Sequence, residues 1–78
     1  MRQVNVKVIK NQVSYLIELT GLQLEIDSCR LDKRRLYRLG KPLENGGISP
    51  ISCYMPISNF SDMLSGMQVL VSKMNQQS

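Results

Sequence analysis

Apolar residues recur through the C-terminal third at helical spacing. Phe60, Met63, Leu64, Met67, Leu70, Val71 and Met74 fall on one face of a helix over residues 58–74. Ser58 or Asn59 stands where an N-cap is needed, and with Asn59 as cap Asp62 takes the third helical position, near the unpaired amides. The N-terminal third carries a second stripe, Val6, Ile9, Val13, Leu16, Ile17 and Thr20, with Gly21 placed to end it. Val4, Val6 and Val8 also alternate with Asn5 and Lys7, so a strand at 3–9, a turn at Lys10–Asn11 and a helix from Gln12 to Thr20 is a competing reading. One helix from about residue 5 to 20 is preferred. Val4, Val8, Tyr15 and Leu19 then lie on its far side, and a dimer or a partner could cover them.

Between the helical stripes the period changes to two. Leu22, Leu24 and Ile26 alternate with Gln23, Glu25 and Asp27, which predicts a half-buried strand over 22–27. Residues 28–33 are polar enough to turn, and 34–39 can form a second strand in which Leu36 alternates with Arg35 and Tyr37. Antiparallel pairing would bring Glu25 and Asp27 near the arginines, a gain of about 0.2–1 kcal/mol per pair. Asn45-Gly46-Gly47 permits positive φ, while Pro42 and Pro50 restrict any strand there to an edge. A third strand is expected at 51–55, before Pro56 leads into the final helix.

These elements predict one α+β domain over 1–78, a small two-layer fold with an N-terminal helix, two or three short antiparallel strands and a C-terminal amphipathic helix. Residues 75–78 are expected to fray. The predicted core comprises Val13, Leu16, Ile17, Leu22, Leu24, Ile26, Phe60, Met63, Leu64, Met67, Leu70 and Val71. Aromatic residues are scarce, so the interior must be built from aliphatic side chains and methionine, each contributing about 1.5–3 kcal/mol when fully buried. Chain entropy cancels most of that sum, so a core this small gains from self-association or a partner. Gly66 within the last helix would permit close approach of the first helix, the sheet or a second subunit.

Charge is more informative in its distribution than in its net value of +4. Arg30, Lys33, Arg34, Arg35, Arg38 and Lys41 crowd one segment in which Asp32 is the only acid. With Tyr37, they are the candidate binding residues: the cations for charge-assisted hydrogen bonds and steering, the tyrosine as an anchor. The acceptor could be an acidic protein surface, or nucleic acid, where Tyr37 or Tyr54 could stack on a base. Alternatively the segment is a charged solvent face that prevents edge-to-edge pairing of the sheet.

Catalytic and metal chemistry find little support. Histidine is absent, which removes the commonest general base, the usual zinc ligand and the ordinary serine and cysteine triads. Cys29 and Cys53 match no ligand or redox spacing, and Asn45-Gly46-Gly47 is too short for a phosphate loop. No enzyme activity, metal or cofactor is expected. With no leader-like or membrane-spanning run visible, a cytoplasmic protein with free thiols is expected.

The order helix, TGLQLEI, YRL, glycine turn, FSDMLSGM resembles small proteins from the early regions of phages and mobile elements of Gram-positive bacteria. The resemblance spans roughly residues 13–70 and implies the α+β fold described above. It also implies a non-enzymatic protein that binds a host protein and inhibits or redirects it, acting in the host cytoplasm. A dimeric nucleic-acid-binding protein using the 30–41 cluster is the alternative.

Overall fold

The computed structural model describes residues 4–76. Residue 3 of the alternative N-terminal strand, and residues 77–78 of the expected tail, lie outside them. The chain runs α1 (Val6–Thr20), β1 (Glu25–Leu31), β2 (Arg34–Pro42), β3 (Ile48–Pro50) and α2 (Ile57–Gln76). The strands form an antiparallel sheet in the order β1-β2-β3, and the helices pack on one side of it. No described helix is long and apolar enough to cross a membrane.

The helical reading of the N-terminal stripe is correct, and both ends of α1 have local causes. Asn5 is extended, and its Oδ1 accepts a 3.0 Å hydrogen bond from the Val8 amide. Gly21 adopts φ 73°, and its amide donates to the Ile17 carbonyl at 2.8 Å. Ile9, Val13 and Leu16 are buried, Val8 and Tyr15 are exposed as expected of the far face, and Val4 packs against the core instead.

The sheet departs from expectation at three places. β1 begins at Glu25 rather than residue 22, because the chain leaves the glycine cap before it meets β2. Leu22 is 50% exposed as a result, although Leu24 is buried. The polar turn shortens to Asp32 and Lys33, with φ of 51° and 66°, the pattern of a two-residue type I′ hairpin. The third strand lies at Ile48–Pro50, earlier than residues 51–55. The turn with Gly46 at φ 89° returns the chain directly, and Leu43 and Gly47 close it with a 2.8 Å backbone bond. Beyond Pro50, which cannot donate to the ladder, the Ile51 and Ser52 amides still donate to the Leu39 carbonyl at 2.8 and 3.2 Å, and Met55 forms a further bridge by exchanging two 2.8 Å backbone bonds with Tyr37.

The capping expectation for α2 also fails. The helix starts at Ile57, and the Pro56 carbonyl accepts from the Phe60 amide at 2.9 Å. Ser58 and Asn59 therefore lie inside the first turn, bonded to each other, and Asp62 falls in the second. Residues 75 and 76 are helical.

Core packing is centred on Ile9, Val13, Leu16, Leu24, Tyr37, Leu39, Phe60 and Leu64, with Ile17, Ile26, Met63 and Met67 partly buried against it. Leu70 is 61% exposed, Val71 is only half-buried and Met74 is exposed. Their stripe is displaced because α2 turns a serine row toward α1. Gln12 donates to Ser65 Oγ at 3.0 Å and accepts from Ser61 Oγ at 2.9 Å. Buried Ser61 thus satisfies its hydroxyl across the helix pair. Gly66 does not mediate close approach within the chain: a Cβ added there meets open space.

Candidate binding surface

The β1–β2 register assigns every candidate residue a place, because residues directly opposite share a face. Ile26 with Leu39 and Ser28 with Tyr37 line the helix side. The same row continues to Arg30 opposite Arg35, where the sheet replaces apolar residues by two cations. Leu31 with Arg34, Cys29 with Leu36 and Asp27 with Arg38 occupy the outer side, which neither helix covers. Lys33 occupies the turn itself, and Lys41 lies at the other end of β2, opposite Ser49.

Seven residues that are close in sequence are therefore divided by geometry. Arg30, Lys33, Arg34 and Arg35 are exposed and gather at the hairpin tip. Lys41 is exposed but remote from the tip. Tyr37 is buried, its ring centroid 6.2 Å from that of Phe60, so it anchors the core and is not an exposed anchor for a partner. The sequence reading failed here because β2 outruns the helices: one face is core at Tyr37 and Leu39, and solvent at Arg35.

Arg38 is also engaged. Its Nε donates to Asp27 Oδ2 at 2.8 Å, with both side chains 24% exposed, and its guanidinium lies 4.4 Å over the Tyr54 ring. Tyr54 OH donates to the same Asp27 oxygen at 2.6 Å. The Tyr54 hydrogen bond, assisted by Arg38, holds the Asp27 carboxyl below the usual carboxylate range. The same bond pushes the Tyr54 phenol upward. The expected approach of strand acids to the arginines is thus realised at Asp27, whereas Glu25 lies opposite Gly40.

The tip has no equivalent arrangement. Arg30 and Arg35 stand directly opposite each other, and like charges in that relation oppose strand pairing. Arg35 Nη1 reaches Ser28 Oγ at 3.3 Å, and among the described residues the Arg38–Asp27 contact is the only ion pair. Asp32, in the turn, is the nearest acid in sequence.

Apolar surface accompanies these cations. Leu31 is 60% exposed and lines, with Leu36, Asp32 and Arg34, an outer cavity of about 440 Å³. On the helix side, Arg35 and Lys10 line a cavity of about 300 Å³ with Val6, Ile26 and Tyr37. Lys10 was missed in the sequence because it is remote from the basic run, and only the packing of α1 over β1 brings it there. Both thiols are free, with Cys29 half-buried on the outer face and Cys53 exposed. Comparison with profiles of known protein families, with curated proteins and with solved structures finds no match.

Proposed function

We propose that this is a small non-enzymatic binding module, a phage or mobile-element protein that occupies an acidic surface of a larger host protein and thereby modulates it. The single observation that carries this reading is the grouping of Arg30, Lys33, Arg34 and Arg35 at a hairpin tip where two of them repel across the strands. Such an arrangement costs the fold free energy that an external carboxylate would recover through charge-assisted hydrogen bonds. A protein is favoured over nucleic acid by the neighbouring side chains. Leu31 offers an exposed apolar contact beside Arg34. Tyr37 is buried and the Tyr54 ring is covered by Arg38, so the two tyrosines that could have stacked on bases are engaged within the chain.

The test is affinity capture from lysate of a Gram-positive host, followed by titration of the purified captured protein, duplex DNA and single-stranded RNA at several salt concentrations. Saturable binding of an acidic protein, weakened by salt and by Arg34→Glu with Arg35→Glu, supports the proposal. Binding of DNA or RNA with a steep salt dependence, and of no protein, replaces it with the nucleic-acid reading.

A further inference from the structure

β1 is an edge strand, and its open side can be assigned residue by residue. Tyr37 exchanges both backbone hydrogen bonds with Met55, so the opposite pair Ser28–Tyr37 is not hydrogen-bonded across β1 and β2. The amide and carbonyl of Ser28 therefore point away from β2, toward the free edge. By the two-residue period of a strand, those of Ile26 and Arg30 do the same. This row of backbone donors and acceptors borders a groove. α1 lies beside it, and Val13, Ile17, Leu24 and Ile26 line, with Lys10, a cavity of about 350 Å³. Lys10 and Ile26 also border the cavity that contains Arg35, so the groove continues along β1 toward the tip.

Polarity changes along the groove. Near Leu24 its lining is apolar, with Glu25 at that end. Near Ser28 the charged groups are Lys10 and Arg35, joined by Arg30 from the strand itself, and Asp32 stands beyond them in the turn. Asp27, on the other face, is already neutralised by Arg38 and Tyr54.

We propose that the free edge of β1 receives an extended segment of the partner as an additional strand. The groove-facing row of that segment carries apolar side chains over Val13, Ile17, Leu24 and Ile26, and carboxylates over Lys10, Arg30 and Arg35. Backbone hydrogen bonds to Ile26, Ser28 and Arg30 supply affinity, and the alternating side chains supply specificity. Charge complementarity selects this occupant. A second copy would bring its own Arg30, Arg35 and Lys10 to the same edge, so pairing of β1 with β1 is opposed by like charge. The inference rests on reading the protein as a module for an acidic protein partner.

The probe is a random dodecapeptide library selected against the full chain, followed by synthesis of the enriched peptide. Enriched peptides are expected to place apolar residues at alternate positions, with acidic residues at alternate positions toward one end. N-methylation of the alternate peptide amides that face β1 should weaken binding at least about tenfold, and N-methylation of the intervening amides should leave it unchanged. The Ile26, Ser28 and Arg30 amides should become protected from hydrogen exchange on binding. Ser28→Pro, which removes an outward amide and no ladder bond, together with that amide's support of the Asp27 carboxylate, should abolish binding. Because the methylated peptides leave the protein unaltered, the test stands even if that variant unfolds. Failure to enrich a peptide, equal effects of the two methylation patterns, or a β1-mediated dimer in sedimentation overturns the inference. If methylation has no pattern but Arg34→Glu with Arg35→Glu still weakens binding of the captured protein, the edge proposal falls and the binding module stands. If that charge reversal is also without effect, both fall.

Discussion

The two ends of the β1–β2 hairpin have the same strands, the same pairing and similar residue types, yet they treat charge in opposite ways. At the end nearest the helices, Arg38 is held by Asp27 and covers Tyr54, above a core formed by Tyr37, Leu39 and Phe60. At the tip, Arg30 and Arg35 face each other, Lys33 occupies a left-handed turn position, and the core has ended. Charge at the first end contributes to the fold. Charge at the second is spare, which is the physical ground for assigning binding to the tip.

The comparison is tested most severely by truncating one side chain at each end. Leu39 is completely buried, and Leu39→Ala should cost about 2–5 kcal/mol in urea denaturation, whereas Arg30→Ala should lie within about 0.5 kcal/mol of the parent. A tip truncation as costly as the core truncation would erase the distinction.

A smaller effect is expected from the paired charges. Asp27→Asn should lower the urea midpoint near neutral pH, because it removes the charge that Arg38 and Tyr54 share. The Asp27 carboxyl is held low in the fold, so its contribution is present above about pH 4 and is lost as pH falls through the depressed value. Parent and variant should therefore converge in acid. The Tyr54 phenol is pushed up, so its contribution is present below about pH 10 and is lost as pH rises through the elevated value. A midpoint difference that persists unchanged into acid would show that the pair does not act through charge.

The turn should respond in the opposite direction. Lys33 at φ 66° carries a Cβ in a conformation that favours glycine, so Lys33→Gly should stabilise the protein by about 1 kcal/mol. Removing the repulsion opposite Arg30 by Arg35→Glu should add about 0.2–1 kcal/mol, read from the same urea midpoints. Loss of stability in either variant would mean that the tip is better adapted to its own fold than its geometry indicates.

The same contrast explains what could be read from the sequence. α1 was legible because the Ile9–Val13–Leu16 period and Gly21 agree, whereas the Asn5 cap is a finding of the structure. The small α+β architecture followed from the change of period between the helices. Periodicity could not show that α2 would turn Ser61 and Ser65 to Gln12, leaving Leu70 outside. Nor could it show that β3 would end at Pro50, with Ile51 and Ser52 held on the Leu39 carbonyl and a single bridge at Met55 in place of a strand over 51–55. At the candidate site, composition identified the cationic run but not its division. That division depends on where the helices end over β2, a tertiary fact that separates buried Tyr37 from exposed Arg35 two positions away.

We propose that the tip cations serve a partner and not the fold. This is tested most directly by measuring stability and affinity for the captured protein on one variant, Arg34→Glu with Arg35→Glu. The urea midpoint should equal or exceed that of the parent, with affinity reduced at least about a hundredfold at low salt, as expected for reversing two contact charges. An unchanged affinity, or a fall in stability that accounts for the loss, would contradict it.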